Sequence, residues 1–168
     1  MKNIFSILKF TLFMVVLLAI IYPMAIFGIA QLVTNKGKGE TVTVNGKVVG
    51  YQKIGQKFNK SNYFWGRPSA VDYNATGSAG SNKGPNNAEY LALVQKRIDT
   101  FLMFHPYLKK GEIPSDMVTA SGSGLDPNIS PQGALIQVKR VVAARNLPEE
   151  KVKFLVETKI NTPSLIGT

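Results

Sequence analysis

Residues 10–35 read FTLFMVVLLAIIYPMAIFGIAQLVTN: from Phe10 to Asn35 there is no charged side chain, and Leu12 to Ile21 is apolar without a break. At 1.5 Å per residue a helix from Phe10 to Val33 would be about 36 Å long, enough to cross a hydrocarbon core of about 30 Å with some tilt. One N-terminal transmembrane helix within residues 1–35 is therefore expected. Pro23, directly behind Tyr22, removes a backbone donor, so a kink or local break is expected in the outer half of that helix. Gly28 beyond it lets a neighbouring helix approach closely. The competing reading is a cleaved secretory signal, since Lys2 and Lys9 make a basic start and Gly28-Ile29-Ala30 passes for a small-x-small cleavage site. The apolar run is longer than an ordinary signal's, which favours a retained anchor. Charge leaves the orientation open, because Lys2 and Lys9 on one side face Lys36 and Lys38 on the other.

Beyond residue 35 the material changes. Eighteen of the 20 basic residues and all 10 acids lie there, so residues 36–168 carry +8 of the chain's +10. With 45% hydrophobic residues over 168 positions, there is enough apolar material for a folded core, and residues 36–168 read as one soluble domain. The absence of cysteine excludes a disulfide framework, a thiolate nucleophile and a Cys-containing zinc site, and a single histidine excludes a His-rich metal site.

The strongest strand signal is Thr41-Val42-Thr43-Val44, Asn45-Gly46, Lys47-Val48-Val49: β-branched runs on either side of the dipeptide that a type I′ hairpin turn prefers. From Asn59 to Asn87 the chain is rich in Gly, Ser, Asn and Pro without a sustained period, which predicts ordered loops. Asn86 with Glu89 resembles a capping box, followed by Leu91, Val94, Ile98 and Phe101 or Leu102 on one helical face. Met117 to Ala120 suits a short strand, and Ser121 to Asn128 a loop. Ser130 caps and Pro131 starts a second helix with Ala134, Leu135, Val138, Val141 and Val142 inward. Pro148-Glu149-Glu150 opens a third, with Val152, Leu155 and Val156 as its buried stripe. The fold class predicted is α+β: one transmembrane helix, then a soluble domain with a hairpin and about three helices.

Most chemistries find no carrier here. There is no G-x-x-x-x-G-K-[ST] string to cradle phosphates and no Asp-Lys-Thr-Gly for an aspartyl-phosphate, so the chain is not expected to hydrolyse ATP by itself. A membrane-anchored envelope hydrolase would need His105 as the base for Ser123. His105 lies between a helix end and Pro106, where a satisfied or solvated histidine is expected, and Ser121-Gly122-Ser123-Gly124 lacks the leading glycine of a nucleophile elbow. Val49-Gly50-Tyr51 echoes part of a potassium-channel filter, but a filter needs four such loops framed by membrane helices. Tyr63, Phe64, Trp65 and Arg67 near six lysines between Lys36 and Lys60 would suit nucleic acid. Behind a membrane span, a solvated basic face is the better reading, and no nucleic-acid partner is expected.

Several motifs together resemble the small single-span C subunit of the Kdp-type potassium-transporting P-type ATPase. They are Tyr22-Pro23 with Gln31, Ile54-Gly55-Gln56-Lys57-Phe58, Tyr63-Phe64-Trp65-Gly66-Arg67-Pro68-Ser69-Ala70, Tyr73-Asn74, Gly80-Ser81-Asn82 with Gly84-Pro85, and Val118 through Pro131, continued by Gln137, Arg140, Val141, Ala144 and Arg145. The sequence departs from the family at Lys83, where leucine is usual, and in ending at Ile166-Gly167-Thr168 without the family's terminal Val-Asn-Val-Leu helix.

The resemblance implies an accessory subunit beside a large potassium-conducting partner and a phosphorylated, ATP-hydrolysing P-type partner. It also implies a cytoplasmic N-terminus and an extracytoplasmic soluble domain, which breaks the charge tie. Tyr22, Pro23, Gly28 and Gln31 in the membrane lipid, and Phe64, Arg67, Pro68 and Ser69 outside it, become the expected interface. Arg67 offers a planar fork suited to a carbonyl or carboxylate. The family is described as a catalytic chaperone that raises the ATP affinity of the pump subunit, which implies a nucleotide region at Ser121, Ser123, Gly124, Leu125, Asp126, Gln132 and Gln137. ATP is cytoplasmic, however, and a domain outside the membrane cannot touch it. Ser121 to Gln137 is then better read as an interface or core motif, with no cofactor bound independently and ATP engaged only with the catalytic subunit. No metal or potassium site is expected.

Overall fold

The computed structural model describes residues 2–161. The chain divides into two compact units, Met1–Gln52 and Lys53–Thr168. The C-terminal residues compared with the family's terminal Val-Asn-Val-Leu helix lie outside the described residues.

In the first unit, α1 (Lys2–Val16) and α2 (Tyr22–Leu32) are joined by a π-helical turn, Leu17–Ile21, into one continuous rod. Residues Asn3–Leu32 form a helix long and apolar enough to cross a membrane, with none of its apolar window buried. Side chains apolar all round belong to a helix whose surroundings are apolar on every side. The interruption expected at Pro23 takes the form of that π turn just before it. The amide of Tyr22 reaches back to the carbonyl of Leu17, and Ile21 and Tyr22 keep helical dihedrals. A proline cannot donate to the carbonyl four residues earlier, and a wide turn is one of the recognised adjustments to that loss.

The hairpin forms as the sequence predicts. Strands β1 (Thr41–Val44) and β2 (Lys47–Tyr51) pair antiparallel through Val44↔Lys47 and Thr43↔Val48. Asn45 and Gly46 both hold positive φ, 50° and 75°, as a type I′ turn requires. The register then skips Val49, so that Val42 pairs with Gly50, a bulge within the ladder. The channel-filter echo at Val49-Gly50-Tyr51 is the end of this strand.

The second unit begins with residues 53–87, which contain no helix or strand. Helix α3 (Ala88–Phe104) follows. Its cap is Asn87, whose side chain accepts from the Tyr90 amide, so the capping box expected at Asn86 and Glu89 is displaced by one residue. Asn87 takes the role because its backbone is extended while the next residue is already helical. Glu89 instead meets Lys83 at 3.4 Å on the surface, a contact of little energetic weight.

The short strand expected at Met117–Ala120 is absent; Ser115–Met117 forms a single 3₁₀ turn. Asp116 holds that turn by accepting from both the backbone amide and the hydroxyl of Ser130. Ser130 in turn accepts from the Gly133 amide and caps α4 (Pro131–Leu135), with Pro131 at its first position as predicted. The expected second helix is divided at Ile136–Gln137, and α5 (Val138–Arg145) ends on Asn146 in the left-handed conformation. Helix α6 (Glu149–Thr158) packs on α4 and α5.

The apolar core is small: Phe101, Met117, Val118, Val138, Val141 and Val152. Leu91, Leu135 and Leu155, expected to face inward, are exposed at 53%, 37% and 55%. The buried positions they were expected to fill are shared with polar groups, namely His105, Ser121, Gln137 and Arg140. Replacing Ser130 with alanine removes a cap and half of the Asp116 contact. Urea denaturation of the full chain in micelles, followed by the single tryptophan, should show Ser130→Ala less stable by about 1 kcal/mol; an unchanged midpoint would contradict this role.

Candidate functional site

Two segments of low regular structure, residues 55–73 and 121–130, interlock in the second unit. Arg67 donates from Nη1 to Asp126 Oδ2 at 2.9 Å, both side chains being about a quarter exposed. The carboxylate is held in turn by an Asx turn in which Oδ1 accepts from the Asn128 amide. Ser69 is used fully: its hydroxyl donates to the Gly124 carbonyl at 2.7 Å and accepts from the amides of Val71 and Tyr73. The Tyr73 hydroxyl donates to the Arg67 carbonyl at 2.5 Å, and burial raises its pKa, so that it stays a donor.

Backbone bonds complete the join, from the Ser121 amide to the Pro68 carbonyl and from the Gly55 amide to the Leu125 carbonyl at 2.7 Å. Two glycines make the approach possible. A Cβ on Gly55 would lie 2.6 Å from the Asp126 carbonyl oxygen. One on Gly124, already at φ +69°, would lie 2.6 Å from a Val71 methyl.

The same two segments are fastened to the helices by Gln137 and Arg140. Gln137 is fully buried and clasps the Trp65 backbone, accepting from its amide at 2.8 Å and donating to its carbonyl at 3.2 Å. Its amide nitrogen also donates to the Gly133 carbonyl. Arg140 donates to the carbonyls of Ser61 and Tyr63, to Gln137 Oε1, and through Nε to His105 Nε2 at 2.8 Å. Its guanidinium lies 4.4 Å from the Trp65 ring centroid. His105 stacks on Phe101 at 4.0 Å and shares its Nδ1 with the Phe101 carbonyl. Because Arg140 Nε can only donate, His105 is neutral and carries its proton on Nδ1.

Residues 4–168 match the model of the family described as KdpC, the c chain of K⁺-transporting ATPases. The chain belongs to the KdpC family. It is 78% identical over 168 residues to the potassium-transporting ATPase KdpC subunit of Flavobacterium psychrophilum, covering 100% of this chain and 91% of that one. It is 52% identical over 168 residues to the subunit so named from Bacteroides thetaiotaomicron, with 98% and 89% covered. The counterpart from Caldanaerobacter subterraneus subsp. tengcongensis is 50% identical over 154 residues, with 91% and 80% covered.

The structure brings together many of the KdpC motif residues singled out in the sequence. Arg67, Pro68 and Ser69 meet Ser121, Gly124 and Asp126, and Gln137 closes the group through Trp65. Phe64 is half-buried beside them, whereas Ser123 and Gln132 are exposed. Leu125 contributes its carbonyl to Gly55. Along 121–133 the amides of Gly124, Leu125, Asn128, Ser130 and Gly133 are engaged by Ser121, Ser123, Asp126, Asp116 and Ser130. Tyr22, Pro23, Gly28 and Gln31 belong to the first unit, all exposed along the N-terminal apolar helix.

Sequence reasoning gave Trp65 and Arg140 only as motif members, without their contacts. A signal was present: Gln137 and Arg140, three apart, fall on the same face as Val138 and Val141, so two polar groups share the buried stripe.

His105 supplies a pH dependence. Burial is the main cause that lowers its pKa, and Arg140 adds to it, against the opposing bond to Phe101. Below the unfolded value of about 6.5, the unfolded chain therefore binds the proton more readily. Stability is complete above that value and declines as the pH is lowered through it. With one histidine in the chain, the denaturation midpoint should fall between about pH 6.5 and 5 in wild type, and stay flatter in His105→Gln. A midpoint constant over that interval in the wild type would refute it.

Proposed function

We propose that this chain is the accessory subunit of an ATP-driven potassium uptake pump, anchored by one span with its N-terminus in the cytoplasm and residues 36–168 outside. Its partners are the potassium-conducting subunit and the P-type ATP-hydrolysing subunit. The observation that carries the reading is the family match over nearly the whole chain. The exposed apolar rod supports membrane anchoring.

The chain contributes architecture to the pump. His105 has no exposed surface and both ring nitrogens engaged, so it has no lone pair or proton to offer Ser123, and the hydrolase alternative loses its base. The engaged amides along 121–133 favour a scaffold role for the Ser121–Gln137 segment. An influence on ATP affinity then passes through the ATP-hydrolysing subunit, which holds the nucleotide. Potassium is coordinated by the channel-like partner, since a strongly basic domain repels cations within the screening length of about 8 Å.

A strain lacking the chain should fail to grow when potassium is limiting and recover with the wild-type gene; normal growth without it would remove the reading. Arg67→Lys exchanges a planar fork for a point charge at Asp126, and should weaken copurification with the other subunits several-fold. Full copurification would count against the Arg67 region as an interface support. The absence of cysteine makes topology directly measurable. Ala75→Cys, on an exposed loop, should react with a membrane-impermeant maleimide added to cells with a permeabilised outer layer. Labelling only after lysis would invert the orientation.

A further inference from the structure

A cavity of ≈ 440 Å³ opens between the 57–73 segment and α3, entirely within the second unit. Its wall is apolar, with Phe58, Leu93 and Phe104 among its lining residues and each more than a third exposed. Cations edge it. Lys57, Lys96 and Arg97 line the opening against one acid, Asp72, which is already paired with Lys57 at 2.6 Å. Lys96 and Arg97 form no ion pair among the described residues. Arg97 uses Nη1 on the Val118 carbonyl, which fixes the side chain in place. Arg67 also lines the cavity, and its Nε is a buried donor with no hydrogen-bond partner among the described residues.

A buried donor left without an acceptor is unfavourable, and unpaired cations around an apolar pocket favour one chemistry of occupant: an apolar body with an adjoining carboxylate. A second copy of this chain is a poor candidate, because at +10 it repels itself. Residues 162–168 contain no Asp or Glu. We propose that this groove receives an acidic segment of a partner subunit, which places an aromatic or aliphatic side chain in the cavity and a carboxylate against Lys96 and Arg97. The inference rests on the accessory-subunit reading and specifies where one contact is made. An apolar anchor in a desolvated pocket with charges at the rim is the arrangement by which few residues dominate an interface.

The test uses the assembled pump in membranes. A photoreactive p-benzoyl-phenylalanine at position 93 should crosslink to another pump subunit, at a segment bearing Asp or Glu beside an apolar residue. Crosslinks confined to lipid or to a second copy, or none, would overturn the proposal. Lys96→Glu should lower copurification about tenfold at physiological salt, with wild-type tryptophan emission showing the unit still folded. A compensating acid-to-lysine change in the crosslinked segment should restore it. Undiminished copurification of Lys96→Glu, or no rescue, would refute the groove as the contact. If the chain is needed for growth on limiting potassium while Lys96→Glu behaves as wild type, the groove alone fails and the accessory reading stands.

Discussion

The second unit depends on a cation buried without an anion. Arg140 is 6% exposed and makes no ion pair among the described residues. Placing a charge out of water costs several kcal/mol unless hydrogen bonds replace its hydration. The replacement is four neutral acceptors, two backbone carbonyls, an amide oxygen and an imidazole nitrogen, together with the face of Trp65. Burial lowers the guanidinium's pKa, yet it remains far from deprotonation. The four acceptors come from three parts of the chain: the loop before Trp65, the end of α3, and the residue that leads into α5. Satisfying one guanidinium therefore fixes where three segments lie.

That constraint explains how residues 53–87 hold one shape without a strand or helix. A connection of this length without regular structure needs its own fastenings. Here they are polar and local, with Ser69, Tyr73 and Asn74 bonding to nearby backbone, and long-range ones at Arg67–Asp126 and Trp65–Gln137. A loop fixed in this way behaves as a rigid surface, and rigid surfaces bind with less ordering entropy lost than mobile ones. The same residues thus serve stability and the proposed docking role. At Gly55 and Gly124 an added methyl would meet backbone or a packed side chain.

What was legible in the sequence follows from how local the cause is. The long N-terminal apolar helix, the Asn45-Gly46 turn and the Ser130-Pro131 helix start are each decided by residues adjacent in the chain, and each lies where it was expected. The cap at Asn87 was missed by one position because two asparagines stand side by side and only the backbone conformation selects between them. Met117–Ala120 has strand-like composition, but the pull of Asp116 on Ser130, 14 residues away, winds its start into a 3₁₀ turn. The loop-to-loop join of Arg67 with Asp126 spans 59 residues. A fork-shaped donor was recognisable at Arg67, but periodicity carries no information about a partner so distant. The buried faces of α3, α4 and α6 were blurred for a related reason: polar Gln137 and Arg140 occupy interior positions, while Leu91, Leu135 and Leu155, which a hydrophobic-stripe reading places inward, are exposed.

The exposed leucines have a further meaning. A unit with six buried apolar side chains among the described residues leaves Leu91, Leu93, Met103, Phe104, Phe154 and Leu155 in contact with solvent when it stands alone. Scattered apolar residues on a surface are ordinary, but these lie on helices whose opposite sides already hold a small core. Burying a side chain of this size contributes about 1.5–3 kcal/mol, comparable with a substantial fraction of a small domain's net stability of about 5–15 kcal/mol. Covering even two of them in a complex would therefore add as much as several internal hydrogen bonds. The polar network sets the shape of the isolated unit, while much of its unused apolar surface is left for association. That division of labour suits the accessory role proposed above, in which binding of partners would add to the stability of the subunit.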